Sequence, residues 1–424
     1  MLDVCGREGY AGTVVAQVIR RAGSSRSTFY EHFADIEQCF LATILQIAAD
    51  LRAVAERRIA QAPPQQAPLE AAQAVLDFAI EDQARARVLF TESLAGATPT
   101  QDLRDELIDA LAAAVEDRWR ADIAHRPTYD VPAKVMIGGV FRVLAFRARR
   151  GASGLHALPE AVAAWIEAFA LADDGSPQWQ HAGALEALTP PMAVSVEPML
   201  PPPALSYGRK GLRAREVARN HRARLLHATA ECIYSKGYAY VSVTDIVKAA
   251  HVSRGVFYNH FHDKQAAAME AMQHLFEVTL TALAAEFFAA SGWPSQVWAA
   301  ARSLSHSYAA APTLVYLGTV EGYAVGQDAI QLIEDRIMAF TMLLEQGYHH
   351  RAQAENLPRT ISEITASASL ELGYREVRRR QPRHISHLLP QLAYITLAPF
   401  MGASEATAFV RERMSMLDAA APSG

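Results

Sequence analysis

An internal repeat is the feature that most constrains the fold. Residues 9–37, GYAGTVVAQVIRRAGSSRSTFYEHFADIE, and residues 237–265, GYAYVSVTDIVKAAHVSRGVFYNHFHDKQ, align without a gap at a shift of 228. Twelve of the 29 positions match: Gly9, Tyr10, Ala11, Val15, Ala22, Ser25, Arg26, Phe29, Tyr30, His32, Phe33 and Asp35, each with its counterpart. A spacing this long excludes a solenoid, whose units stack on immediate neighbours every few tens of residues. It points to one module present twice in the 424 residues. Between the copies, residues 173–208 hold seven prolines. Proline fixes φ and lacks an amide hydrogen, so this stretch reads as a partly extended linker.

Elsewhere the apolar residues recur with a helical period. Ile330, Ile333, Ile337, Phe340 and Leu344 fall 3, 4, 3 and 4 residues apart, which places one apolar stripe on a helix. Alternating strand patterns are nearly absent, so the expected class is all-α. Helices are predicted over 67–90, 101–120, 132–150 and 159–172 in the first copy, and over 296–311, 327–348, 358–380 and 383–400 in the second. The domain organisation expected is a small helical domain at 1–48, a larger helical domain at 49–172, the linker at 173–208, a second small domain at 209–272 and a second larger domain at 273–420.

The repeated segment carries the chemistry. Ser242 and Asp245 form an S-x-x-D capping box that starts a short helix ending near Ala250. After a tight turn, Ser253 can cap a second helix running through Arg254, Phe257, Tyr258 and Phe261. Two short helices across such a turn are a helix-turn-helix. Gly23 sits at the turn position where φ above zero is free of cost; His251 occupies it in the second copy at modest strain. Phe257 and Phe261 lie on one face and should pack on Ile246 and Ala250, leaving Gly255 and Asn259 outward, with Tyr258 on the flank. Ser27, Glu31 and Tyr30 are their counterparts. A helix of this kind can enter a major groove about 12 Å wide, meeting base edges outward and phosphates at its sides.

The strings RRAGSSRSTFYEHFADIEQ and KAAHVSRGVFYNHFHDKQ resemble the helix-turn-helix signature of the tetracycline-repressor (TetR) family, down to the Tyr-x-His-Phe run. The resemblance implies a bacterial one-component regulator, in which a three-helix DNA-binding domain is joined through a fourth helix to a larger helical domain that binds a small effector and dimerises. It also implies that Tyr30, Tyr258 and Lys264 touch phosphates. Double-stranded DNA and a hydrophobic small-molecule effector are thus the expected partners, with repression relieved by ligand. Family dimers pair their last two long helices as a four-helix bundle. Here both halves lie in one chain, so either an intramolecular pseudo-dimer or a homodimer is expected, the former preferred.

A net charge of −5 argues against nucleic-acid binding, so local charge decides. Residues 209–264 carry eleven Lys and Arg against four acids, a net of +7, whereas residues 1–40 carry four against five. The first copy also has only a vestige of helix one, Val14 in place of the capping Ser242, and Ile36 in place of Lys264. DNA affinity is therefore assigned mainly to the second copy. The candidate DNA contacts are Ser25, Arg26, Ser27, Tyr30 and Glu31 in the first, and Arg213, Arg215, Arg219, Thr244, Ser253, Arg254, Gly255, Tyr258, Asn259, His260 and Lys264 in the second.

Trp298, His306, Tyr316, Glu321 and Tyr323 are candidates to line an effector pocket, against the reading that they are ordinary core. Histidine pairs such as His260 and His262 lack metal-site spacing, so no metal or cofactor is expected. Nucleophile elbows, phosphate loops and zinc signatures are missing, which disfavours an enzyme. Three cysteines, no run of 18 uncharged apolar residues and no signal-peptide pattern at the N-terminus fit a cytoplasmic chain without a membrane span. The alternative function is a helical ligand-binding or protein-interaction module whose helix-turn-helix units have lost DNA binding.

Overall fold

The computed structural model describes residues 1–96, 98–121, 132–150, 154–169, 201–203, 214–379 and 388–420. The first copy contains α1 (Leu2–Glu8), α2 (Val15–Ala22), α3 (Arg26–His32), α4 (Ile36–Gln61), α5 (Ala67–Glu81), α6 (Gln83–Ala86), α7 (Ser93–Ala95), α8 (Thr98–Ala121), α9 (Ala133–Arg150) and α10 (Leu158–Glu167). The second contains α11 (Ala214–Lys236), α12 (Val243–Ala249), α13 (Arg254–Tyr258), α14 (Lys264–Ala289), α15 (Trp293–Ala310), α16 (Pro312–Tyr316), α17 (Gly322–Val325), α18 (Gln327–Leu344), α19 (Ala352–Glu355), α20 (Thr360–Arg378), α21 (Leu388–Met401) and α22 (Ala403–Ala420). Every described element is helical, turn or irregular, so the all-α class holds. The linker at 173–208 lies outside the described residues except for Pro201 to Pro203.

The two copies correspond element by element, beyond the region where their sequences align. Asp35 caps α4 by accepting the Gln38 amide at 2.8 Å, and Asp263 caps α14 by accepting the Ala266 amide at 2.8 Å. Between α6 and α7, Arg87–Glu92 forms a wide π-helical turn; Leu317–Glu321 forms another between α16 and α17. Such turns are rare and cluster where function bends a helix.

Two compact units are formed, and they do not follow the order of the chain. The first joins residues 1–191 with 337–372 and 390–424; the second joins 192–336 with 373–389. Helices that belong to the second copy by sequence therefore complete the core of the first unit. In that core α4, α5, α8 and α9 pack side by side. By length and hydropathy α4 could cross a membrane, but Phe40, Ile44, Ile47, Leu51, Ala55 and Ile59 bury its apolar stripe inside this unit. From Val135 to Phe146 every residue of α9 is buried, which demands neighbours on all sides. One of them is α20. A Cβ added at Gly139 would lie 2.8 Å from the Ala368 Cβ and 3.3 Å from its Cα, so only glycine lets the two backbones approach this closely. Trp165 donates its indole N–H to the Thr365 hydroxyl at 3.1 Å, and Phe169 packs on Tyr394.

In the second unit, α14 and α15 form the main antiparallel pair and α11 packs along α14. Leu275, Leu283 and Phe287 of α14 and Val297 and Trp298 of α15 are buried in this unit.

Gly139→Ala should destabilise the protein despite alanine's better helix propensity. The propensity gain is up to about 1 kcal/mol, whereas forcing a methyl into a packed helix crossing costs about 1–3 kcal/mol. Thermal unfolding should show a lower Tm for Gly139→Ala. The control Gly255→Ala, whose added Cβ would meet nothing closer than the Ser253 Oγ at 3.7 Å, should show none.

Candidate nucleic-acid interface

In the second copy the capping box is formed as the sequence requires. The Asp245 amide donates to the Ser242 Oγ at 3.2 Å, and the Ser242 amide donates to the Asp245 carboxylate at 3.0 Å. Lys236 also donates to Asp245, at 2.5 Å. The bonds from Lys236 and Ser242 hold the Asp245 carboxyl well below the usual carboxylate range.

The turn is the same in both copies. Ser24 N reaches Ile19 O at 3.0 Å and Gly23 N reaches Arg20 O at 3.4 Å; Val252 N reaches Val247 O at 3.1 Å and His251 N reaches Lys248 O at 3.2 Å. This is a Schellman closure, which needs a left-handed residue after the helix. Gly23 supplies φ 62° and His251 φ 50°, the latter alone among described non-glycine residues in lying at positive φ.

The recognition helices are then capped alike. Ser25 Oγ accepts from Thr28 N at 3.0 Å, and Ser253 Oγ accepts from Val256 N at 3.2 Å. Phe29 and Phe257 are buried beneath them. In the first copy Val18, Phe29 and Cys39 close a small core with Val4 of α1, so the seven-residue α1 still seats the motif. Val14 offers no side-chain acceptor, but the Gln17 side chain accepts the Val14 amide at 2.9 Å and supplies half of the missing box.

One expectation is corrected here. α13 stops at Tyr258 instead of running through Phe261, so Asn259 is its C-cap and sits past its last turn, whereas Glu31 lies inside α3. Asn259 remains exposed, as do Arg254, Gly255 and Tyr258. Arg26, Ser27, Tyr30 and Glu31 are likewise exposed; Arg26 leans over the Tyr30 ring, and Ser27 donates to Glu31 at 3.3 Å.

The cations divide into committed and presented groups. Arg222 pairs with Glu270 at 2.5 Å, and Arg224 is buried. Lys264 Nζ donates to the carbonyls of Tyr238 at 2.9 Å and Val241 at 3.0 Å and lies over the Tyr238 ring, so the phosphate contact implied for it must compete with these bonds. His260 is half-buried, and burial together with the nearby His221 and Arg222 lowers its pKa. Arg215, Arg219, Lys248 and Arg254 are exposed, as is Thr244, and no ion pair holds those four cations among the described residues. Arg213 lies outside the described residues.

The proposed pocket residues turn out to serve two different places. Trp298 is buried on α15 and His306 half-buried on it. Tyr323 is buried on α17, in the same unit. Tyr316 and Glu321 instead face the helix-turn-helix domain of their own unit: Tyr316 meets the Tyr234 ring edge-on at 5.0 Å, and Glu321 accepts the Tyr238 amide at 2.8 Å. The first unit repeats this junction. Glu92, buried, accepts the Tyr10 amide at 2.8 Å, and Arg87 donates to Gly6 O at 2.9 Å and to Glu92 at 3.1 Å. Burial and the neighbouring Glu92 push the Cys5 thiol up to about 12. In each copy, then, a glutamate ending a π-helical turn holds the amide that follows the positive-φ Gly9 or Gly237 at the end of helix one. Sequence reasoning placed Glu321 among pocket residues and missed Glu92. The shared clue is an acid within an apolar run in both copies, VLFTESLA and LGTVEGYAV.

The two segments that form this geometry also match a known protein family. Residues 2–43 and 225–270 each match the family model of bacterial regulatory proteins, tetR family. Two solved structures are similar: a fatty acid degradation regulator, FadR, from Bacillus halodurans, at 16% identity and TM-score 0.38, covering 42% of this chain and 94% of that one; and a putative TetR-family transcriptional regulator from Syntrophomonas wolfei str. Goettingen, at 17% identity and TM-score 0.34, covering 48% and 98%. No curated protein matches the chain.

Arg254→Ala and Tyr258→Phe should weaken duplex binding with little change in Tm, because both side chains are exposed and neither supports the core. A side chain that touches a phosphate should, when removed, also lower the salt slope by about 1. Arg26→Ala should cost less than Arg254→Ala. Fluorescence anisotropy at two salt concentrations reads all three, and equal losses from the two arginines would contradict the asymmetry.

Proposed function

We propose, from the premise that this chain carries two TetR-family DNA-binding regions, that it is a cytoplasmic transcriptional regulator binding a duplex operator and released by a hydrophobic small-molecule effector. The observation that carries the DNA reading is the second helix-turn-helix: a capped, Schellman-closed pair of helices presenting Arg254, Tyr258 and Asn259 to solvent within a segment of net charge +7. Phosphate contacts from Arg215, Arg219, Lys248 and Arg254 supply affinity, and outward side chains at base edges supply discrimination. Binding without catalysis is the role these groups suit.

The two recognition helices differ, so the operator is read as an imperfect palindrome. Asn259 suits a bidentate contact to adenine; Ser27 and Glu31 suit acceptance from cytosine, and Glu31 repels phosphate. Each good pair discriminates by about 1–3 kcal/mol, enough to separate the arms in a selection from random duplex. Two equal inverted arms in the selected consensus would contradict this reading.

The effector reading is supported by the repeated junction. A ligand that rearranges the π-helical turn in the helical domain moves Glu321, and with it the amide of Tyr238 at the end of helix one. No separate transmission element is needed. A hydrophobic effector should raise Tm by mass action and lower operator affinity. Glu321→Ala should keep operator affinity within about twofold while blunting ligand-induced release, as read by anisotropy titration with hits from a thermal-shift screen. A ligand that binds tightly and leaves operator affinity untouched in the native chain would argue for the binding-module alternative.

A further inference from the structure

The core of the first unit holds a charge cluster that apolar packing alone would not require. Arg104 on α8 donates two bonds to the Glu371 carboxylate on α20, at 2.9 and 2.8 Å, and Arg142 on α9 donates to the same carboxylate at 2.9 Å. Arg104, Arg142 and Glu371 are each 0–1% exposed. Arg104 also meets Asp105 at 3.0 Å. Arg142 and Glu371 stand 229 positions apart. That is also the separation of Glu92 from Glu321, and of Gly139 from Ala368, which touch one turn away. Each of these pairs therefore matches a position to its own counterpart in the other copy.

The flanking contacts run in opposite directions along the two helices. Arg147, late in α9, donates to Glu363, early in α20, at 2.6 Å. Phe146 packs with Ala366 and Ile337. So α9 and α20 cross antiparallel about a local twofold axis that passes between the 139/368 and 142/371 pairs. On such an axis a surface meets itself. Two identical halves would bring Arg142 against Arg142, or Glu371 against Glu371, out of contact with water. In this chain the two counterparts have opposite charge.

We propose that the Arg104–Glu371–Arg142 cluster selects the partner of each half, so that the first half closes on the second half and rejects the like half of another chain. Like charges buried together are among the strongest penalties an interface can carry, whereas small apolar contacts such as Gly139 on Ala368 discriminate little. The covalent tether favours closure within one chain by effective concentration; the cluster adds sign to that preference. The inference stands whether or not the helix-turn-helix segments bind DNA.

The test uses the full chain throughout. By light scattering the native protein should be a monomer of 46.3 kDa. Arg142→Glu alone and Glu371→Arg alone each place like charges on the axis and should lower Tm and lose the monomer. Both substitutions in one chain exchange the charges across the axis, keep Asp105 beside Arg104, and should restore the monomer with a Tm above that of either single variant. Co-expressing the two singly substituted chains should yield a mixed dimer of twice the mass, because each altered half finds its complement only in the other chain. Any of four results overturns the proposal: a native mass of twice the chain, single variants that melt like the native protein, a double variant that is not rescued, or co-expressed chains that form no mixed dimer.

Discussion

The contact on which the first unit depends is the close approach of α9 to α20. A helix buried on every side from Val135 to Phe146 cannot be the surface layer of a small domain. Its own copy supplies α5, α8, α6 and the π-helical turn at Arg87–Glu92 as partners, and α20 covers the face that carries Gly139 and Arg142. Gly139 removes the one Cβ that would hold α20 away, and Glu371 brings to that face the charge that Arg104 and Arg142 require. Shape and charge at this crossing are satisfied by the same helix. Without it, α9 would expose an apolar surface, and Arg142 of α9 and Arg104 of α8 would lose the carboxylate they share.

Much of this was legible in the sequence where the signal is local. Caps and turns are decided by a few consecutive residues, so Ser242 with Asp245, Ser253, Gly23 and the strained His251 all do in the structure what their residue types require. Phe29 and Phe257 went to the core and Tyr30 and Tyr258 to the surface for the same reason. The end of α13 was less legible, because Asn259 and His260 neither forbid nor enforce another turn. Lys264 shows the limit of analogy: a lysine at a phosphate-contact position is bound to the carbonyls of the preceding turn, which only three-dimensional placement reveals.

The long-range features were not legible, and for a physical reason. The gapless repeat at 228 ends before the larger domains, where the correspondence becomes 229 and the residues diverge, so Arg142 and Glu371 do not present themselves as counterparts. Divergence is what their chemistry demands, since identity at that position would set like charges together. The π-helical turns are hidden too, because no residue type encodes the extra residue of a widened turn. What fixes Glu92 and Glu321 is a backbone amide elsewhere in the fold, and a backbone amide leaves no trace in the sequence.

The 267 residues that separate Arg104 from Glu371 set a timetable for synthesis. At translation speeds of about 5–20 residues per second, α8 and α9 wait on the order of tens of seconds before α20 leaves the ribosome. Throughout that interval the nascent first half displays the whole surface that α20 will cover. On a messenger carrying several ribosomes, a chain finished further downstream offers an α20 to the unfinished chain behind it. Correct closure therefore depends on what meets that surface during the interval, as well as on the stability of the finished fold.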